Sequence, residues 1–178
     1  AQKQLAVNAC RYDWVLILDA DERIPPITSR TIMREIQVNN TDISAFSFRR
    51  KNYLGTKWIR HCGWWPDRIV RLVNRNKGIF DKRSVHEKWI TEGKIKSLDA
   101  YIEHLSFRSY SDMILKMDRY STLAAKDLMN NGARASALSP LTHGLWMFFK
   151  TYILEKGIFE GFEGILISLM NAIGSFFK

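Results

Sequence analysis

The stretch Trp14–Glu22, which reads WVLILDADE, gives the strongest indication of the fold. Its first five residues form a continuous apolar run, which is typical of a strand buried on both faces in a parallel α/β sheet. Asp19, Asp21 and Glu22 follow where such a strand ends, and α/β sheets bind ligands at the carboxyl ends of their strands. The sequence therefore predicts an α/β domain with a ligand site that begins at residue 19.

Asp19 and Asp21 stand two residues apart, so both carboxylates can reach one divalent ion, or one can bind the ion and the other a ribose hydroxyl. Mg²⁺ and Mn²⁺ favour carboxylate oxygens and usually share their coordination shell with substrate phosphates. A bare Asp-x-Asp pattern is common, and the alternative interpretation is an acidic loop with a helix cap. The position directly after WVLIL favours the metal site.

The segments around this stretch show helix and strand patterns. Residues 1–10, AQKQLAVNAC, read as the last turns of a helix. After Pro25-Pro26, either Thr28 or Ser29 can cap a helix that runs to about Val38. Further along, the periodicity predicts strands at 44–50, 68–73, 84–90 and 100–105, and a helix from residue 111 to about 130.

The composition is that of an ordinary globular chain. Its 178 residues are 46% hydrophobic and 25% charged, which excludes wholesale disorder and fibrous repeats. Cys10 and Cys62 are too few for a disulfide-rich scaffold, and no Cys-x-x-Cys pair indicates structural zinc.

The net charge of +9 is concentrated in one segment. Residues 49–83 contain eleven Lys and Arg against two acidic residues, so the rest of the chain sums to zero. Trp58, Trp64 and Trp65 lie among these cations. Guanidinium groups bind phosphate and indole rings stack on a sugar or a base, so the segment suits phosphorylated sugars or single-stranded nucleic acid. The alternative is a solvated basic face with the tryptophans in the core.

Two further patterns contain histidine. In Val85-His86-Glu87 the glutamate can act as a general base, or the His-Glu pair can be exposed on an edge strand. His104 ends the apolar strand pattern AYIEHL. A neutral imidazole there can bind a transition metal, and the alternative is a hydrogen-bonded, partly buried histidine.

Residues 141–178 differ from the rest of the chain, with 21 apolar and six charged residues. The apolar residues from Phe162 to Phe177 fall on a helical stripe. The longest charge-free stretch, Gly164–Phe177, has 14 residues, which is short of the roughly 20 that a spanning helix needs. This tail is therefore expected to lie on a membrane, pack on the domain or bind a partner helix.

Taken in order, the motifs resemble glycosyltransferase family 2 enzymes of the GT-A fold, and most closely the bacterial lipopolysaccharide-core β-glucosyltransferases. The resemblance rests on QKQLAVNAC with YDWVLILDADERI, on FRRKNYLGTKW, on RIVRLVNRNKGIF with VHE, and on YIEHLSFRS. The tail WMFFKTYILEKGIFEGFEGILIS looks like the C-terminal region of the same subgroup, so the resemblance covers essentially the whole chain.

The resemblance implies a domain organisation. The fold class is α/β, with the C-terminal part of a GT-A, Rossmann-like nucleotide-sugar transferase domain in residues 1–108. An amphipathic helix in 109–140 packs on that domain, and an apolar helical tail in 141–178 associates with a membrane. Because the family begins with earlier β-α units that bind the nucleotide base, the chain is expected to be N-terminally truncated, and we hypothesise that it is inactive alone.

The resemblance also implies roles for individual residues. Asp21 would be the direct metal ligand of the Asp-x-Asp motif, and Asp19 would share the metal site nearer the ribose. His104 would complete the metal shell, and Glu87 would be the catalytic general base. Two arginines would contact the phosphates of the donor, namely Arg68 and Arg71.

An enzyme of this kind is inverting and metal-dependent. It moves a hexose, expected to be glucose from UDP-glucose, to a lipopolysaccharide-core or similar lipid-linked glycan with the help of Mg²⁺ or Mn²⁺. The implied location is cytoplasmic, peripheral on the inner face of the bacterial inner membrane. No nucleic-acid partner is expected, and oligomerisation stays open.

Other classes of function also stay open. A nucleic-acid-binding module explains the basic segment but leaves the acidic run without a task, since acids repel a phosphate backbone. A metal-dependent phosphohydrolase would use Asp19, Asp21, Glu87 and His104. A non-catalytic membrane adaptor would explain mainly the tail.

Overall fold

The computed structural model describes residues 2–38, 40–81, 88–132, 136 and 138–178. By its contacts the chain divides into two units. Unit 1 contains Ala1–Arg50 and Asp67–His104, and unit 2 contains Lys51–Pro66 and Leu105–Lys178. Residues 51–66, which lie inside the predicted catalytic segment 1–108, therefore group with the C-terminal helices.

Helices and strands are mixed along the chain, which confirms the predicted α/β class. The elements up to residue 107 are α1 (Gln2–Ala9), β1 (Trp14–Leu16), β2 (Glu22–Arg23), α2 (Pro26–Gln37), β3 (Ile43–Leu54), β4 (Lys57–Trp58), β5 (Asp67–Asn74), β6 (Ile79–Phe80), β7 (Trp89–Ile90) and β8 (Lys94–Phe107). The later elements are α3 (Tyr110–Asn130), α4 (Ser139–Phe149), a π-helical turn (Lys150–Leu154), a 3₁₀ turn (Gly157–Glu160) and α5 (Phe162–Phe176).

The main sheet has the strand order β1-β5-β3-β8-β2, and β4 pairs with the end of β3. The pairs β1–β5, β5–β3 and β8–β2 are antiparallel. The Ser44 hydroxyl donates to the Lys94 carbonyl, and Ser47 bonds to Ser97, each across 50 residues. The residue numbers differ by the same amount at both contacts, which is the pattern of parallel strands, so β3 and β8 run in the same direction. The sheet is therefore mixed.

The central strand β3 is buried on both of its faces within unit 1. Phe46 and Phe48 belong to an apolar cluster with Leu72 of β5. Ala45 belongs to a second cluster, which includes Val73. Because successive side chains of a strand point to opposite faces, these two clusters lie on the two sides of the sheet. The residues of unit 1 therefore form two apolar layers around β3.

The prediction that residues 14–18 form a strand buried on both faces of a parallel sheet is wrong. β1 ends at Leu16 and pairs with β5 in antiparallel fashion, at one edge of the described sheet. Leu16 and Leu18 are 39% and 41% exposed, whereas Val15 is buried. A short apolar run fits one-sided and two-sided burial equally well, and here neighbours from α1 and β5 cover one face.

The start of α2 also differs from the prediction of a cap at Thr28 or Ser29. The helix begins at Pro26, with Pro25 in the capping position and no side-chain capping bond. Proline suits the first helical turn, where its missing N–H would have no partner in any case. Thr28 is buried, and its hydroxyl donates to the Tyr101 carbonyl at 2.7 Å, so it ties the helix to β8 instead.

The helices of unit 2 follow the predicted periodicity. The Ser109 hydroxyl accepts a hydrogen bond from the Asp112 amide at 3.1 Å and caps α3, which ends next to Gly132. Met113 of α3 and Ile167 of α5 share an apolar cluster with Ile59. None of the described helices combines the length and the apolarity needed to cross a bilayer.

Candidate active site

The acidic residues after β1 form a tight turn. The Glu22 amide donates to the Asp19 carbonyl at 3.0 Å, and the Asp19 amide donates to the Glu22 carboxylate at 3.2 Å. These two reciprocal bonds, one to a backbone carbonyl and one to the Glu22 side chain, close the turn and hold the residues between them. The turn leads directly into β2, where Glu22 is buried.

The pairing of β2 with β8 brings two predicted metal ligands together. Glu22 lies opposite His104 in the antiparallel register, so Asp21 stands next to the imidazole. His104 Nε2 is 3.5 Å from Asp21 Oδ2. Neighbouring ligands of an octahedral ion with bonds of about 2.1 Å lie roughly 3 Å apart. The two side chains therefore fit as adjacent ligands of one Mg²⁺ or Mn²⁺.

Asp19 has different partners. Its Oδ2 accepts a hydrogen bond from Arg71 Nη2, and its Oδ1 lies 3.5 Å from Lys3 Nζ. Among the residues whose structure is described, no group of three His, Cys, Asp or Glu side chains is arranged to hold a metal ion. Asp21 and His104 are thus two candidate ligands, and an ion that also binds substrate phosphates needs only one or two ligands from the protein.

The charge around Asp19 holds it ionised. Burial would raise the pKa of this carboxyl, but the charges of Arg71 and Lys3 outweigh burial and keep its pKa below the ordinary value. Asp19 is therefore a permanent anion at neutral pH, and its contacts tie it to the framework of unit 1.

Arg71, predicted as a phosphate contact, lies inside unit 1 and is only 4% exposed. Its Nη2 donates to Glu22 Oε1 at 2.6 Å as well as to Asp19. Its Nε is buried and has no acceptor among the described residues. These contacts favour a positioning role beneath the acidic turn over direct contact with a donor.

His104 is held in the neutral form. Burial and then the charge of Arg50 lower the pKa of its imidazole below the ordinary value, against the opposing attraction of Asp21 and Glu22. A neutral imidazole is the form that binds a metal ion. The imidazole is therefore in the protonation state that this task requires at pH 7.

The sequence analysis missed Arg50 as part of this arrangement. Its guanidinium is paired with Asp67, whose Oδ2 lies 2.8 Å from Nε and 2.6 Å from Nη2. Nη1 also lies 3.7 Å from Glu22. In the sequence Arg50 is one of eleven cations in the basic segment 49–83, and composition alone does not distinguish it from the others. Its alternation within β3 was the signal that could have placed it on the same face as the site.

The other predicted residues stand apart from this group. Arg68 is exposed on β5, and its Nη1 contacts the Leu98 carbonyl at 3.4 Å. Glu87, predicted as the general base, lies in the stretch 82–87, outside the described residues. Most of the predicted strand 84–90 shares that stretch, and only its end is described, as β7.

The sequence of this chain is similar to that of known glycosyltransferases. A family model described as "Glycosyl transferase family 2" matches residues 1–116. An "Uncharacterized glycosyltransferase" of Rickettsia felis is 26% identical over 196 residues, which cover 99% of this chain and 66% of the relative. A counterpart of Rickettsia conorii is 27% identical over 196 residues, again covering 99% and 66%.

A relative from Rhizobium meliloti has a more specific name, "Lipopolysaccharide core biosynthesis glycosyltransferase LpsC". It is 26% identical over 186 residues, which cover 98% of this chain and 65% of the relative. The chain thus spans just under two thirds of the length of the curated relatives that it matches, between 64% and 66%. The family match and the mixed sheet confirm the fold class that the sequence predicts.

Proposed function

Because the chain belongs to glycosyl transferase family 2, we propose that it is part of an inverting enzyme that moves a hexose from a nucleotide-sugar donor to a glycan. The observation that carries this proposal is the Asp21–His104 pair, 3.5 Å apart at the end of a reciprocally closed acidic turn. By analogy with the relative named for lipopolysaccharide core biosynthesis, we take the acceptor to be such a core. The donor we propose is UDP-glucose, which the resemblance to core β-glucosyltransferases implies.

Asp21 and His104 would hold Mg²⁺ or Mn²⁺, with Asp19 nearer the ribose of the donor. When bound, the ion supplies positive charge that neutralises the departing diphosphate. Arg71 keeps Asp19 and Glu22 in place from below, so the carboxylates need not reorganise during the reaction. Arg68 is exposed on β5 and forms no ion pair with a described carboxylate, so it is our candidate for contact with the donor phosphates.

The acceptor hydroxyl must lose its proton as it attacks the anomeric carbon, and Glu87 is our candidate for the base. The bond from the acceptor oxygen to that carbon forms while the bond to the leaving diphosphate breaks, which inverts the configuration in one displacement. The support for Glu87 is the resemblance of Val85-His86-Glu87 to the family motif. A base separate from the metal ligands is what this chemistry needs.

The test of this function is transfer by the protein from a panel of nucleotide sugars to truncated lipopolysaccharide core, detected as an added hexose by mass spectrometry. Glu87→Gln should reduce the rate by about 10²–10⁴-fold, since it removes a general base. Glu92→Gln, an exposed neighbour in sequence, is the control. Nucleotide release that needs no acceptor would argue for a phosphohydrolase instead.

We also propose that unit 2 docks on an anionic membrane surface, on the cytoplasmic face of the inner membrane. Large apolar side chains are exposed there, among them Phe159 at 72% and Phe162 at 62%. Helices α4 and α5 line an apolar groove of about 490 Å³. Exposed apolar surface of this extent marks an interaction site. Unit 2 has eleven Lys and Arg against six acidic residues, which complements acidic lipid.

Co-sedimentation with vesicles tests this docking. We expect binding to vesicles that contain phosphatidylglycerol and weaker binding to pure phosphatidylcholine, because both apolar burial and charge contribute. Phe159→Glu should reduce binding, whereas Leu5→Glu, at an exposed apolar position of α1 in unit 1, should not. Equal loss in both variants would contradict a docking surface on unit 2.

A further inference from the structure

Glu22 is the acidic residue of the turn Asp19–Glu22 to which the proposed reaction gives no contact with the ion or the donor. Its side chain is fully buried, whereas those of Asp19 and Asp21 are 42% and 36% exposed. Glu22 is therefore not placed to meet a ligand from solvent. A buried carboxylate costs free energy unless its oxygens are paired, so its partners indicate what it does.

Both oxygens of the Glu22 carboxylate have partners. Oε1 accepts a hydrogen bond from Arg71 Nη2 at 2.6 Å and lies 3.7 Å from Arg50 Nη1. Oε2 accepts a hydrogen bond from the Asp19 amide at 3.2 Å. The side chain thus connects the first residue of the acidic turn to β5, which carries Arg71, and to β3, which carries Arg50.

The backbone of Glu22 is fixed by a second set of contacts. Glu22 pairs with His104 in the antiparallel register of β2 with β8, and its amide donates to the Asp19 carbonyl at 3.0 Å. Asp21 lies between these two anchored residues, and its Oδ2 is 3.5 Å from His104 Nε2. The position of Asp21 relative to the imidazole therefore depends on how Glu22 is held.

A carboxylate of this length suits all of its donors at once. Its oxygens act only as acceptors, and each can accept from more than one donor. Glutamine would turn an N–H₂ group towards one of those donors, and aspartate is one methylene too short to reach both Arg71 and the Asp19 amide. An ion pair buried in this way adds little net stability compared with apolar residues of similar volume. Stability alone therefore does not account for Glu22.

We propose that Glu22 is a positioning residue, which holds Asp21 beside His104 before an ion binds. It touches neither the ion nor the donor and acts only through the conformation of the acidic turn. A pair of ligands that is ordered in advance costs less to organise when the ion arrives. This inference rests on the proposed function in one respect, because it takes Asp21 and His104 to be the ligands of Mg²⁺ or Mn²⁺.

The alternative is that Glu22 serves only as the counter-ion of the buried Arg71. Its loss would then lower the stability of the fold without a specific effect on the turn. The Asp19 amide distinguishes the two roles, because its bond to Oε2 closes the turn and makes no contact with Arg71. A measurement on this amide therefore reports on positioning, and a variant that destabilises the core elsewhere supplies the comparison.

The first measurement is hydrogen exchange of the Asp19 amide, followed by NMR in the full chain without metal. Glu22→Gln should raise the exchange rate at least about tenfold, since the amide loses a charged acceptor and the turn opens locally. Ile43→Ala is the control for lost stability, because it removes a buried apolar side chain at the start of β3. It should leave the exchange of the Asp19 amide unchanged.

The second measurement is the affinity for Mn²⁺, read from the EPR signal of the free ion, with Asp21→Asn as the blank for binding elsewhere. Glu22→Gln should weaken the binding that depends on Asp21 by about 10–100-fold, as is usual when a residue that orients a metal ligand is lost. Ile43→Ala should bind like the wild type. Glu22→Asp keeps the charge and should also bind more weakly, and it replaces Glu22→Gln in both measurements if that variant does not fold.

The proposal is overturned if the Asp19 amide of Glu22→Gln exchanges as in the wild type, or if Ile43→Ala changes exchange and affinity as much as Glu22→Gln does. If Mn²⁺ binds equally to the wild type and to Glu22→Gln, the positioning role fails while the metal site stands. If the wild type shows no Mn²⁺ binding that depends on Asp21, the metal site fails. Faster exchange of the Asp19 amide in Glu22→Gln would then still support the positioning of the turn.

Discussion

Arg71 contacts two carboxylates through one nitrogen, Nη2, beneath the turn that contains Asp21. The Glu22 side chain is fully buried, and that of Arg71 nearly so. A buried ion pair adds little net stability, but removal of one partner leaves an uncompensated charge in the interior. At the scale of the residue, Arg71 thus stabilises the conformation of the acidic turn through Asp19 and Glu22.

Arg71→Met keeps most of the side-chain volume and removes the charge. We expect the free energy of unfolding to fall by about 3–5 kcal/mol, because the buried Glu22 carboxylate loses its nearest cation and keeps only the more distant Arg50. Urea denaturation followed by circular dichroism measures it. Arg68→Met, on the same strand but exposed, should cost within about 0.5 kcal/mol. Equal stability of the two variants would show that Arg71 is not a structural ion-pair partner.

Glu160 gives a second prediction for a single residue. Burial raises the pKa of this carboxyl, but hydrogen bonds from the Arg60 amide and from His61 outweigh it and keep the pKa below 4.5. Because the folded pKa is depressed, the stabilising contribution is present above the unfolded pKa and disappears as the pH falls through the folded value. The wild type should therefore lose stability below pH 4.5 more steeply than Glu160→Gln.

Thermal unfolding of both proteins from pH 7 to pH 3 measures this difference. At pH 7, Glu160→Gln should also be less stable by about 1–3 kcal/mol, since an amide cannot accept all of the donors around it. Glu92→Gln, which is exposed, serves as the control. Parallel pH curves for the wild type and Glu160→Gln would contradict the assigned role of the carboxylate.

The sequence indicates single candidate residues of the site more readily than their partnerships. Asp21 and His104 were both named from their positions in apolar strand patterns, and the register of β2 with β8 sets them side by side. That register joins residues far apart in the sequence, and no local pattern encodes it. Arg50 and Glu22 were missed as site partners for the same reason, since their contacts form only when distant strands pair.

At the scale of the element, α5 depends on a close approach of two backbone segments. A Cβ added at Gly164 would meet the Gly157 carbonyl oxygen at 1.8 Å. The first turn of α5 therefore packs directly on the preceding 3₁₀ turn, and only glycine leaves enough space. This contact fixes where Glu160 lies between the two glycines.

Gly164→Ala should destabilise unit 2 by about 3 kcal/mol, at the upper end of the range for overpacking, because the obstacle is backbone. Gly174→Ala lies in the same helix, and its Cβ would meet only the flexible Met117 side chain at 3.3 Å. It should be nearly neutral, since alanine favours a helix. Urea denaturation compares them, and a Gly164→Ala variant as stable as Gly174→Ala would contradict the close approach.

Elements with strong periodicity were predicted well. α3 and α5 lie where the helical stripes placed them, because their apolar residues recur at helical spacing over several turns. The error at β1 has a physical cause as well. Whether Leu16 and Leu18 are covered depends on which elements pack on each face, and a five-residue apolar run contains no information on this.

At the scale of the whole molecule, the two units separate the proposed tasks. The residues of the donor and metal proposal, Asp19, Asp21 and His104, belong to unit 1, and the apolar helices of the membrane proposal belong to unit 2. Composition predicted a distinct tail. It could not predict that residues 51–66 group with that tail, since this depends on the bonds of Glu160 to Arg60 and His61, about 100 residues away.

The most direct test of the account is a calorimetric titration of UDP into the chain with and without Mn²⁺, repeated on Asp21→Asn. Mn²⁺ should tighten UDP binding at least about tenfold, or about 1.4 kcal/mol, because a shared ion bridges the carboxylate and the diphosphate. Asp21→Asn should lose this dependence, and Asp42→Asn, which is exposed in unit 1, should keep it. The account would be contradicted if the affinity for UDP were the same with and without Mn²⁺. It would also be contradicted if Mn²⁺ raised the affinity of Asp21→Asn as much as that of the wild type.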